Sequence, residues 1–264
     1  MPRARRELQV KQPSRNGFRD PRTGYRSDMA TLSRARPRRH PGAKATGLSP
    51  AARRARSRFL AFFPDGFRDA VYLETERRDK WNAHRTWTTE LDRATYKALL
   101  RAREYEEIAN RVIRLEARTN LLFSFEKMAL RDAVRTEHGA RAFAIALNDW
   151  IYGAGREQDR FERWCSAVRE LPRRQTRVLT WPIVTVFGFI ARPRVHIILK
   201  PRVTRTAAEA YGFDLDYRTT PEWHTYSRLR QFAGQIRADQ ADLGPRDMID
   251  VQSFIWVQGS AEYD

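Results

Sequence analysis

From Glu90 to Val134 the chain runs for 45 residues without a proline or a glycine. Leu91, Leu99, Ile108, Val112, Leu115, Leu122, Phe125 and Met128 recur there at 3-, 4- and 7-type spacings. That period lines one face of a helix and suits no strand, so the stretch must fold as helix and bury a stripe against something else. Glu107 and Arg111 stand four apart on the opposite face, where they can pair. Thr119-Asn120 is the expected break into two helices, with Asn120 capping the second.

The flanking segments follow the same grammar. Pro64-Asp65-Gly66 reads as a turn with Asp65 as a cap, and the residues after it lie along helical faces as far as Trp87. Further helices are expected over residues 140–152, ended by Gly153-Ala154-Gly155, and over 158–171, stopped by Pro172. The apolar run 178–191 is β-branched, which favours strand. Thr180 ahead of Trp181-Pro182 is nevertheless a helix start, and Arg192-Pro193 a fitting stop, so a buried helix is expected. A short strand at 196–199 follows. Helices over 204–211, 222–243 and 247–257 complete the body. The fold class is therefore mainly α: a multi-helix globular domain with at most one small β element, preceded by a disordered basic tail.

The net charge of +18 is unevenly placed. Through Arg58 there are 17 basic and three acidic residues, a surplus of +14, and the remainder carries only +4. Residues 1–58, rich in Pro, Gly, Ser and Arg without apolar period, are expected to be a disordered tail, and 59–264 a single helical domain. Such a tail suits an electrostatic arm for nucleic acid or acidic lipid. Arginine outnumbers lysine 44 to 6, as GC-rich coding produces, so an upstream start ahead of Met29 is the competing explanation. The near-balanced body weighs against naming a nucleic-acid binder from composition alone. One cysteine, Cys165, excludes an intramolecular disulfide framework. No apolar N-terminal stretch suggests a signal peptide, and the longest uncharged run, 14 residues, falls short of a membrane span. A cytoplasmic protein that does not enter a membrane is expected.

Several chemistries lack their motif. The residues three before the histidines are Pro37, Trp81, Arg135, Pro193 and Pro221, so there is no Glu-x-x-His pair for a di-iron bundle. His-Glu-x-x-His, the zinc deaminase His-x-Glu, Gly-x-Ser-x-Gly and the P-loop are also missing. Pro64-Asp65 ahead of Glu74-Thr75-Glu76 lacks the lysine of the metal-dependent nuclease pattern. No metal site and no cofactor are expected.

Weaker constellations remain. Glu74, Glu76, Asp79 and His84 are the catalytic candidates, since 76, 79 and 80 share a helical face; the plainer reading is a solvated helix pairing with Arg77 and Arg78. Arg173, Arg174 and Arg177, with Lys200 and Arg202, are anion-binding candidates near a helix start, or partners of acidic helix faces. Asp247 and Asp250 read as helix N-terminal acids opposing the dipole. Cys165 reads as buried and inert, and the seven tryptophans as core.

The segments FFPDGFRDAVYLETERRDKW, RTNLLFSFEKMALRDAV, RRQTRVLTWPIVTVFGFIARP, HIILKP and PRDMIDVQSFIWVQGS resemble a bacterial family of conserved hypothetical proteins. That resemblance covers residues 62–264 and implies no activity and no catalytic residues. The C-terminal half also resembles segments found beside restriction and defence ATPases, which implies a DNA-linked or defence-linked role. The leading expectation is a non-enzymatic binding or adaptor domain associated with nucleic acid through the tail or the Arg173–Arg177 cluster. The alternatives are a metal-dependent hydrolase or nuclease of unfamiliar architecture, and a structural helical protein that binds a protein partner.

Overall fold

The computed structural model describes residues 47–174 and 177–263. Among these residues there is helix and no strand, and no helix is long and apolar enough to cross a membrane. The expected disorder of residues 1–46 lies outside the described residues.

Among the described residues the first helix is α1 (Pro50–Phe62), whose residues 50–58 fall where a disordered tail is expected. Ser49 accepts a hydrogen bond from the Ala52 amide at 3.1 Å, and Pro50 opens the helix with its φ already set. Ala52, Ala55 and Phe59 fall on one face and are buried. Residues 50–58 read as tail because alanine marks a buried face faintly amid four arginines. Two of those arginines hold the fold: Arg56 pairs with Asp242 at 2.5 Å, and Arg58 donates to the Val257 carbonyl at 3.0 Å. Phe59 also meets Phe67 at 4.8 Å and Phe254 at 5.2 Å, which fastens the helix to the C-terminal end of the chain. Each buried ring of this kind is worth about 1.5–3 kcal/mol.

A 3₁₀ turn, Gly66–Arg68, leads to α2 (Ala70–Tyr72), a π-turn (Leu73–Arg77) and α3 (Arg78–Glu90). Asp69, rather than Asp65, is the cap, accepting from the Val71 and Tyr72 amides. The long proline-free stretch is helical but more broken than expected, into α4 (Arg93–Arg101), α5 (Tyr105–Ala117) and α6 (Ser124–Ala133). Asp92 caps α4. Arg103 takes φ 60°, which turns the chain between α4 and α5. Asn120 caps nothing; the buried Glu126 carboxylate instead accepts from the Phe123 amide at 3.1 Å and the Thr180 hydroxyl at 2.9 Å.

α7 (Glu137–Tyr152) and α8 (Glu157–Glu170) form a hairpin across the Gly153 turn. The apolar run is α9 (Trp181–Ala191), capped by Thr180 and buried along its whole length. It packs on α3, α7 and α8, and the Trp164 indole donates to its Val184 carbonyl at 2.9 Å. The expected strand at 196–199 is buried but irregular, and there is no strand among the described residues for it to pair with. The Leu199 amide donates to the Thr185 hydroxyl at 3.0 Å, and Tyr226 takes the Ile197 backbone, so side chains do the work of a ladder. α10 (Pro201–Tyr211) ends at Gly212 in the left-handed region. α11 (Trp223–Asp239) stops four residues before the expected end, followed by a 3₁₀ turn at Ala241–Leu243. α12 (Met248–Gly259) packs on α10, α11 and α1.

Candidate functional site

The π-turn is the local feature that builds the site. Its wider turn takes up an extra residue and so rotates the start of α3, and such turns recur at functional sites. Here it carries Arg77 inward, where the guanidinium meets Asp247 at 2.6 Å and Asp250 at 2.7 Å. The Tyr72 hydroxyl donates to Asp250 at 2.5 Å, and Arg246 donates to the same carboxylate at 2.8 Å and to the Phe67 carbonyl at 2.9 Å. Burial alone would raise the Asp250 carboxyl; hydrogen bonds from Arg246 and Tyr72, with the Arg77 charge, overcome it and hold the group below its ordinary value. Burial works likewise against the Arg77 cation, and Asp247 and Asp250 outweigh it. Asp247 also caps α12, accepting from the Ile249 amide at 3.0 Å, and Asp250 lies in its first turn, so both acids stand at the helix N-terminus and also belong to a buried ion network.

This network floors a cleft of about 1050 Å³. One wall is the helical face carrying Leu73, Glu74, Arg78, Trp81, Asn82 and His84. The other is the turn Arg192-Pro193-Arg194-Val195 after α9. The turn is fixed from three sides. The Val195 and His196 amides donate to the Arg192 carbonyl, Arg192 Nη1 reaches the Ile151 carbonyl at 3.1 Å, and the Met248 amide donates to the Pro193 carbonyl at 2.7 Å.

Five arginines line this cleft (Arg77, Arg78, Arg192, Arg194 and Arg246) against two carboxylates, Glu74 and Asp247. Arg78 pairs with Glu74, and Arg77 with Asp247. Arg194 is exposed on the rim and has no partner among the described residues. Trp81 is 37% exposed, with the Arg77 guanidinium 5.0 Å from its ring centroid and the His84 ring at 5.1 Å. His84 Nδ1 lies 2.8 Å from the Ile190 carbonyl, which can only accept, so Nδ1 carries the proton and Nε2 has no partner among the described residues.

The catalytic candidates do not converge. Glu74 and His84 line the cleft. Glu76 is buried elsewhere, accepting from the Tyr263 hydroxyl at 2.7 Å and pairing with Lys80 at 3.2 Å. Asp79 is exposed beside Arg78 and is not part of the cleft. The solvated-helix reading thus fits Asp79, while Glu76 is a fold contact. Among the described residues no group of three or more His, Cys, Asp or Glu side chains could hold a metal ion.

The anion candidates separate as well. Arg173, Arg174, Arg177 and Arg202 are exposed, but Lys200 is buried: its ammonium lies 3.3 Å from the Asn120 carbonyl, between the Phe123 and Trp256 rings at 5.0 and 5.1 Å. Arg177 faces Tyr217 together with Arg205. Cys165 is buried and its thiol is pushed up to about 12 by desolvation, which leaves it protonated and unreactive. Four of the tryptophans are core; Trp81 is the one on the cleft. Sequence reasoning missed Arg77, Arg192, Arg194 and Arg246. The signal was Arg192-Pro193-Arg194, two cations flanking a rigid turn, which by itself reads only as a helix stop. No family model, curated protein or solved structure matches this chain.

Proposed function

We propose that the described domain is a non-enzymatic binding module that takes a nucleic-acid strand by its phosphates in the arginine cleft. The observation that carries this reading is Arg194, which stands on a fixed turn lining the cleft together with Arg78 and Arg192 and has no carboxylate of its own among the described residues. Guanidinium forks suit phosphate oxygens, and a concave cationic wall focuses the field on an approaching polyanion. Binding is favoured over hydrolysis because two of the four acid–base candidates, Glu76 and Asp79, stand away from the cleft. The Arg173–Arg174 segment becomes a secondary contact at most.

The experiment is fluorescence anisotropy of short DNA and RNA strands with the full chain across a salt series. The double variant Arg192→Ala/Arg194→Ala is compared with Arg173→Ala/Arg174→Ala. The cleft variant is expected to bind more weakly, with a slope of log affinity against log salt shallower by about 1 for each phosphate no longer neutralised. If it matches the wild type in affinity and slope while the other variant does not, the strand lies outside the cleft.

A protein partner is the second reading. Phe123, Phe125 and Met128 are 45%, 49% and 49% exposed at the start of α6, and the two rings stack at 5.7 Å. Such a group of exposed apolar side chains marks an interaction surface. Phe123→Ser/Phe125→Ser is then expected to abolish a partner complex without changing strand affinity.

A further inference from the structure

The acceptors that line the cleft are the Glu74 and Asp247 carboxylates, the Asn82 amide oxygen and one nitrogen of the His84 ring. Arg78, Arg192, Arg194 and Arg246 offer only N–H donors. Glu74 and Asp247 can accept, but each carboxylate already holds a guanidinium, Arg78 and Arg77 respectively. His84 Nε2 is different. The Ile190 carbonyl takes the proton of Nδ1, so in the neutral ring Nε2 presents a lone pair, and among the described residues no side chain meets it. The ring is steadied against Trp81, and its carbonyl partner belongs to α9, so the lone pair is held in place before anything binds.

Phosphate esters carry only acceptors at neutral pH and have nothing to donate to such an atom. A deoxyribose within a strand has no donor either. The N–H donors of the bases are common to DNA and RNA; a ribose adds one of its own, its 2′-hydroxyl, next to the phosphates that the arginines would hold. On the reading that the cleft binds a nucleic-acid strand, we infer that it binds RNA in preference to DNA, with a ribose 2′-hydroxyl donating to His84 Nε2. His84 is then the specificity residue and the arginines supply affinity without regard to sugar. A site built around an acceptor discriminates against a ligand that lacks the donor, because the acceptor loses its water and gains nothing in exchange.

Three strands of one sequence separate the contributions: RNA, DNA, and 2′-fluoro RNA, which keeps the ribose pucker but has no donor. Each is titrated by anisotropy against full-length wild type and His84→Phe, which keeps a ring against Trp81 and lacks the lone pair. Wild type is expected to prefer RNA over both other strands by at least about fivefold. His84→Phe is expected to bind all three alike, near the wild-type affinity for DNA. Equal affinity of the wild type for RNA and 2′-fluoro RNA overturns the inference without any variant, so it stands even if the substitution disturbs folding. Equal loss for RNA and DNA in His84→Phe also overturns it, since that is the mark of an imidazolium resting on phosphate. If no strand binds at all, the cleft reading itself fails; if strands bind without preference, only the role of His84 does.

Discussion

Arg77 and Asp250 meet at 2.7 Å across 173 positions of sequence, in a setting where the carboxylate is wholly buried. The pair fastens the π-turn to the first turn of α12, and the cleft floor exists because of it. Tyr72, Arg246 and Asp247 complete its hydrogen bonds, so neither charge is left bare.

Removing one partner therefore leaves an uncompensated charge. Asp250→Asn is expected to destabilise the fold by about 3–5 kcal/mol, the usual cost of breaking a buried pair from one side. Arg77→Met should cost a similar amount, because Asp247 and Asp250 then face each other. For a domain of this size the midpoint of thermal unfolding should drop by on the order of 10 °C. Thermal melts followed by circular dichroism check this, and a drop within about 2 °C would mean that the network contributes little.

The boundary of the folded unit gives a sharper test. A chain beginning at Phe59 loses Ser49, Ala52 and Ala55, together with the Arg56–Asp242 and Arg58–Val257 contacts. It should unfold well below a chain beginning at Gly47, by several degrees or more, and expose the Phe59–Phe67–Phe254 cluster to an apolar dye. Equal melting temperatures would show that α1 adds nothing to the domain.

What could be read from the residues divides along physical lines. Helices whose signal is local were legible. The period of Glu90–Val134 and the Thr180 and Pro182 punctuation placed α4 to α6 and α9 in outline. The turn at Arg103 was not legible, because Ala102, Arg103 and Glu104 are ordinary helix formers, and the exposed left-handed residue that ends α4, with the Glu104 amide on the Leu99 carbonyl, is neither Gly nor Asn. The cleft was hidden for a different reason. Glu74 and His84 could be named from one helix, but Arg192, Arg194 and Arg246 reach the site only through the docking of Met248 on Pro193. Periodicity cannot report a contact between segments so far apart in the chain.

His196 gives the fold a pH dependence of its own. Its ring is wholly buried, 4.5 Å from Trp150, with Nδ1 3.2 Å from the Tyr226 hydroxyl and Nε2 without a partner among the described residues. Desolvation first, then the charges of Arg192, Arg230 and Arg160, push the imidazole down to about 3. Glu157 stands 3.4 Å away but is already paired with Arg230, so it does not reverse the balance. The unfolded chain takes up a proton near pH 6.5 and the folded chain does not. Stability is therefore full above about pH 6.5 and is lost as pH falls from there toward 3, at no more than about 1.4 kcal/mol per unit. Denaturant titrations of wild type and His196→Gln between about pH 7 and pH 4.5 isolate this group. The difference between them should shrink as pH falls, and two parallel profiles would refute the buried neutral histidine.

Gly259 tests the closest approach of two helices. It is the last residue of α12, and a Cβ placed there would lie 2.1 Å from the Val203 carbonyl oxygen of α10. That atom is backbone, so no rotamer change can relieve the clash, and the two helices must separate or slide. Gly259→Ala is expected to cost about 1–3 kcal/mol, although alanine would favour an isolated helix. The cleft lies at the opposite end of α12, at Asp247, so strand affinity should be kept at temperatures where the variant is folded. Chemical denaturation reads the first effect and anisotropy the second. A neutral or stabilising substitution would mean that α10 and α12 lie farther apart than this geometry requires.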